Sequence, residues 1–162
     1  MDPLILSLVS ACTALVASIA GPIVTLAVAR RQFNANVLSA NRQKWIETLR
    51  DSVSELISIL AAASVVRTTW KASWDRGLGA ISARSELLDK VQRLVLVHAK
   101  IRLLLNPNEQ DHQELHQAIE AASLHLRSET WSESDTEADV EAITRLAQAI
   151  LKREWQRVKL GV

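Results

Sequence analysis

LILSLVSACTALVASIAGPIVTLAVA, residues 4–29, is the stretch whose reading decides the fold. Its 26 residues hold no ionisable side chain except Cys12, and Arg30 and Arg31 follow at once. Asp2 is the only charged side chain before them. A helix that crosses a bilayer needs about 20 mainly apolar residues, so the run predicts a transmembrane helix over residues 1–31. A cleaved signal peptide fits less well. Met1-Asp2-Pro3 supplies no basic leader, and the apolar run continues well past the small-residue triplet Ser18-Ile19-Ala20. A buried helix of a packed core rarely stays uncharged for so long. By the positive-inside rule the paired arginines put the following chain in the cytoplasm. The expectation is a single-pass protein of the bacterial inner (plasma) membrane with its N-terminus outside.

The run has an internal period. At about 100° per residue, Ser7, Ala11, Ala14, Ser18, Gly21, Thr25 and Ala29 share one narrow stripe. Ile5, Leu8, Val9, Cys12, Val16, Ile19, Ile23 and Leu26 occupy the broad opposite side. Small residues let helices approach closely, and hydroxyls can bond across helices. The stripe therefore predicts a helix–helix or pore-facing surface, with lipid on the other side. One span per chain cannot enclose a conduit alone, so a pore requires a homo-oligomer. Gly21-Pro22 predicts a kink.

Outward from this run, residues 32–44 read as a juxtamembrane connector and residues 45–162 as a cytosolic helical domain. The 162-residue chain has four glycines, three prolines, one phenylalanine and no tyrosine. Ala, Leu, Ser, Arg, Glu and Gln dominate, which favours helices over a β-sandwich or barrel. The fold class expected is all-α, one N-terminal transmembrane helix followed by a bundle of about four helices. Ile46, Leu49, Val53, Leu56, Leu60, Ala63, Arg67 and Trp70 recur at spacings of three and four and define a helix over 45–70. Asp75-Arg76-Gly77-Leu78-Gly79 breaks it.

A helix over 81–105 buries Leu88, Val91, Val95, His98, Ile101 (or Arg102) and Leu105, widened by Leu94, Leu96 and Val97. It reads as the most buried element. Asn106-Pro107-Asn108 ends it, and Asn108 reads as the cap of the next helix, 109–127. Residues 128–135 read as a mobile acidic linker around Trp131. A last helix over 136–160 is capped by Ser134 or Asp135, acidic at its start and basic at its end.

Several chemistries lack their residues. Cys12 is the only cysteine, so there is no disulfide framework and no cysteine metal site. No glycine loop cradles phosphate, and no Ser/His/Asp or Cys/His nucleophile can be placed. His112 and His116 share a helix face with Glu114 between them, but a third ligand is missing; no metal and no cofactor are expected. Two sets of residues remain. Arg93 and His98 have an R-x4-H spacing that resembles the ribonuclease motif of HEPN domains, with Leu94 where that motif has a polar residue. Such a pair could stabilise a phosphorane and move protons in RNA cleavage. The aliphatic residues between them read as core, so the chain is expected not to be an enzyme, with a HEPN-like ribonuclease as the alternative.

Arg67, Trp70, Lys71, Trp74 and Arg76 form the second set, a cationic and aromatic cluster. Aromatic faces stack bases and the cations neutralise phosphate. The charge balance points the same way: the net charge of +1 conceals a basic half, residues 30–105, and an acidic half, residues 106–162.

Three segments carry a resemblance: RQKWIETLR at 42–50, KIRLLLNPNE at 100–109 and ILKREWQRVK at 150–159. With them the chain resembles a family of small bacterial single-pass membrane proteins with a cytosolic helical domain. More loosely it is similar to the small membrane effectors of CRISPR systems. One kind is the pore-forming accessory protein of type VI-B loci, with its HEPN-like motif. Another is the type III effector that responds to cyclic oligoadenylate. The resemblance implies a homo-oligomeric, membrane-perturbing or pore-forming effector of antiviral defence. The implied partners are the lipid bilayer, further copies of the chain, and a nucleotide, RNA or defence-system protein on the cytosolic side. A non-catalytic sensor or scaffold that binds nucleotide or RNA through its basic face is the alternative.

Overall fold

The computed structural model describes the backbone of residues 3–76, 81–128 and 130–160. Within the first helix the side chains of residues 3–12, 16, 17, 19, 20, 27, 31, 34 and 35 lie outside the description. The described residues form four helices and no strand: α1 Pro3–Asp75, α2 Ile81–Leu104, α3 Gln110–His125 and α4 Glu133–Leu160.

Among the described residues no helix is long and apolar enough to cross a membrane. The transmembrane helix expected over residues 1–31 is thereby corrected. The pore and the single-pass inner-membrane location are corrected with it. The physical reason lies in what interrupts the aliphatic residues. Thr13, Ser18, Gly21, Pro22 and Thr25 dilute the described part of the run, and α1 continues past Arg30 into the polar residues that follow. The small-residue stripe is likewise reassigned. Ala14, Ser18, Gly21, Thr25 and Ala29 are exposed, while Ser7 and Ala11 lie outside the described side chains. The Ser18 hydroxyl donates to the Leu15 carbonyl at 2.8 Å and that of Thr25 to the Gly21 carbonyl at 2.9 Å. Both bonds close on their own helix, the usual outlet for a helical Ser or Thr. Pro22 lies inside α1.

Two compact units divide the chain, one reaching Asn41 and the other spanning Arg42–Leu160. In the first, the described apolar side chains such as Leu15, Ile23, Leu26, Phe33 and Leu38 are exposed. The second holds the core. Alternating spacings of four and three put Leu49, Val53, Leu56, Leu60 and Ala63 of α1 on one buried stripe. Leu94, Val97 and Ile101 of α2, Leu115, Ile119 and Ala122 of α3, and Ile143, Ala147 and Ile150 of α4 complete it.

α2 departs from its expected burial. Leu94, Val97 and Ile101 are its buried residues, whereas Leu88, Val95, Leu96 and Leu103 are exposed, Leu103 at 89%. Leu94, Val95, Leu96 and Val97 spread aliphatic side chains around the whole helix, so the sequence period selects no face, and packing in the core selected the 94–97–101 stripe. The turn into α3 also differs. Glu109, not Asn108, is the cap residue, in extended conformation and without a side-chain cap bond. The Asn106 side chain instead accepts the Asn108 amide at 3.1 Å and donates to Glu109 at 3.1 Å.

The segment after α3 is pinned, contrary to a mobile linker. Trp131 is 7% exposed and its indole N–H donates to the Thr136 hydroxyl at 2.9 Å. Ser132 and Asp135 then form a reciprocal cap. The Asp135 amide donates to the Ser132 hydroxyl at 3.3 Å, and the Ser132 amide to the Asp135 carboxylate at 2.9 Å. α4 accordingly starts at Glu133, three residues before the expected start.

Candidate functional site

The last turns of α1 carry Arg67, Trp70, Lys71 and Trp74 at spacings that place them on one face. Opposite stand Leu87, Leu88 and Val91 of α2, with Leu126, Arg127 and Trp131 from the end of α3 and the loop beyond. Together with Asp75 these residues enclose a cleft of about 660 Å³. Trp70 and Trp74 lie 6.1 Å apart, tilted by 41°. The Arg67 guanidinium sits 5.0 Å above the Trp131 ring and also donates to the Ser128 carbonyl. Burial lowers the Arg67 pKa from the usual arginine value.

Four of the five residues of the predicted cationic cluster thus share one cavity. Arg76 does not line it; its Nε donates to the Ala72 carbonyl at 2.9 Å one turn back. Three residues sequence reasoning missed are Arg127, Trp131 and the apolar floor at Leu126. The signal for Trp131 was present: a lone tryptophan in a polar run is costly to leave in water.

The charge of the cleft is its chemical character. Among the described residues of the cleft, Arg67, Lys71 and Arg127 face a single acid, Asp75. Among the described residues none of these three cations has a carboxylate within 4.0 Å. Trp70 and Trp74 supply flat apolar faces, Arg67 lies over the ring of the buried Trp131, and Leu87, Leu88, Val91 and Leu126 form an apolar floor. Such a cleft can hold a flat ring against tryptophan while cations meet an attached phosphate.

A second polar centre is balanced in charge. The segments 42–50, 100–109 and 150–159 converge there. The Trp45 indole donates to the Leu104 carbonyl at 2.9 Å and stacks on His112, with ring centres 5.9 Å apart. Arg153 bonds Glu109, Asp111 at 2.5 Å and Glu154 at 3.1 Å. Arg157 reaches Glu154 at 2.8 Å and Arg42 reaches it at 3.7 Å. Three arginines meet three carboxylates, so no charge is left over for a ligand.

Glu109, Asp111 and His112 offer ligand atoms within 4.8 Å of one another. The Arg153 guanidinium already occupies that position, bonding both carboxylates and approaching His112 Nε2 at 3.3 Å. Burial opposes the Asp111 charge, but Arg153 holds its carboxyl below the ordinary range. The centre is a clamp between α1, the α2–α3 turn and α4.

The expected R-x4-H pair is split between neighbours. Arg93 bonds Glu55 of α1, with Nε at 2.9 Å. His98 Nε2 lies 3.0 Å from His116 Nδ1 of α3. Five residues on a helix separate two side chains by about 140°, which is why they serve different partners. Compared with protein-family models, curated proteins and solved structures, the chain matches none.

Proposed function

We propose that this protein is a non-catalytic binding module for a phosphate-bearing ligand with a flat ring, a nucleotide or single-stranded RNA. The observation that carries the reading is the cleft itself. Among the described residues, three tryptophans and three cations without carboxylate partners line one cavity, while the charged centre around Arg153 is balanced. Base–aromatic stacking contributes about 1–3 kcal/mol per base, which suffices for measurable binding when joined to phosphate contacts.

The test uses the cleft's own fluorophores. Titration of the full chain with mononucleotides and with short single-stranded RNA should quench tryptophan emission with saturation. Trp74→Ala and Lys71→Ala should each weaken binding about tenfold, whereas Arg93→Ala should not change it. Saturating binding that survives both cleft variants would place the ligand elsewhere, and absence of binding by all probes would refute the reading.

A further inference from the structure

We propose that the outward face of α2 pairs with the same face of a second copy of this chain, as a parallel two-stranded coiled coil. α2 carries two apolar stripes. Leu94, Val97 and Ile101 are buried in the bundle core. At about 100° per residue, Leu88, Val95, Leu96, Ala99 and Leu103 fall on the opposite side, and all five are exposed. An outer helix of a bundle ordinarily carries polar residues there, and a helix that is apolar on both sides is one that is buried on both. Among the described residues nothing covers this second stripe, so burying it calls for another molecule.

Spacing and charge select the occupant. Ile81, Leu88 and Val95 recur every seven residues, and Ser85, Gln92 and Ala99 recur every seven between them. These are the d and a positions of a heptad, the seam that one helix lays against another of the same period. In a parallel pair in register, the residue before each a position meets the residue five further on in the other helix. Here those residues are Arg84 and Asp89, which carry opposite charges. Among the described residues neither forms an ion pair within its own chain. The twofold axis makes the contact twice, each Arg84 against the partner's Asp89. Gln92 stands at an a position in the middle of the stripe. In register its amide meets the partner's Gln92, and each side chain offers both a donor and an acceptor. An antiparallel pair centred on Val95 and Leu96 would set Gln92 against the partner's Ala99 and leave the amide without that partner, which selects the parallel arrangement. With roughly three heptads, and small residues at Ser85 and Ala99, the dimer is weak, and its expected Kd is about 10 µM. Leu88 also borders the tryptophan cleft, so the tests use positions outside it.

The experiment is sedimentation velocity of the full chain between about 1 and 200 µM, where a monomer–dimer equilibrium should appear. Val95→Glu and Leu96→Glu should each leave only monomer over that range. Arg84→Glu and Asp89→Arg each set like charges against one another and should weaken dimerisation about tenfold. The double variant Arg84→Glu, Asp89→Arg should restore it to within about threefold of the parent. Leu124→Glu, on α3 and as exposed as Leu96, should change nothing. In a Cys12→Ser background, Gln92→Cys should cross-link to a disulfide dimer under mild oxidation, as the parallel register requires. Circular dichroism confirms that each variant is folded. A monomer at every concentration overturns the proposal. So does a dimer that persists in the folded Val95→Glu and Leu96→Glu variants, or a charge-reversal defect that the double variant does not repair.

Discussion

Arg153 joins more partners than any single substitution can replace. Its planar fork meets Glu109, Asp111 and Glu154 at once, and the Glu154 side chain is only 8% exposed. Burial works against the Arg153 charge, yet the bonds from Asp111 and Glu154 hold its pKa above the usual arginine value. Arg153→Ala would leave the buried Glu154 with Arg42 and Arg157, and Asp111 with no cation. Breaking a fully buried pair costs about 3–5 kcal/mol, and 34% exposure of the Arg153 side chain reduces that to about 2 kcal/mol. A urea melt reads this as a lowered midpoint at unchanged slope. Lysine cannot reproduce the fork, so Arg153→Lys should recover less than half of the loss. His98 governs a second residue-scale prediction. Burial, His116 and Arg102 lower its pKa in the folded state, while Glu120 opposes them. A histidine with a depressed folded pKa takes its proton more readily when unfolded. Stability is therefore intact above the ordinary value of 6.5 and declines as pH falls below it. His98→Gln should flatten the fall in urea midpoint as pH drops below about 6.5.

At the scale of elements, the junction before α4 shows how a short segment fixes a helix start. Trp131 buries its ring and bonds Thr136, and Ser132 and Asp135 exchange bonds across the first turn. The Ser132 hydroxyl and amide hold the Asp135 carboxyl below its ordinary range. Ser132→Ala removes the hydroxyl half of this cap and should cost about 1 kcal/mol in a denaturant melt. Because Trp131 also lines the cleft, the same variant should weaken ligand quenching more than a distant cap mutation of equal cost. This junction also marks where sequence reading ran out. The seams of α1, α3 and α4 were legible because apolar residues recur against polar backgrounds, at Leu49, Val53 and Leu56 or at Ile143, Ala147 and Ile150. Composition made residues 128–135 look unattached, yet one indole outweighed seven polar neighbours. In α2, Leu88, Val95 and Leu96 were as apolar as Leu94 and Val97, and only the shape of the assembled bundle decides among them. The apolar run at residues 4–29 misled for a related reason. Freedom from charge was read as a continuous span, whereas in its described part Thr13, Ser18, Gly21, Pro22 and Thr25 break up the aliphatic residues.

For the whole molecule, the charge distribution explains why one cleft stands out. Within the bundle Arg42 of the basic half joins Arg153 and Arg157 of the acidic half against Glu109, Asp111 and Glu154, and the charges there cancel. The cations left over include Arg67, Lys71 and Arg127, gathered around the tryptophans. With a net charge of +1 the chain has no strong overall attraction for a polyanion. Salt dependence of binding thus reports local phosphate contacts. Single-stranded nucleic acid releases about 0.7 counterion per phosphate neutralised, so three cations give a slope near −2 for log affinity against log salt. Lys71→Ala and Arg127→Ala should each bring the slope nearer zero by about 0.7. Trp74→Ala should weaken binding at every salt concentration with the slope unchanged, because stacking releases no counterions. The two kinds of variant thereby separate the stacking half of recognition from the phosphate half. A slope indifferent to Lys71 and Arg127 would mean that phosphate is met outside the cleft.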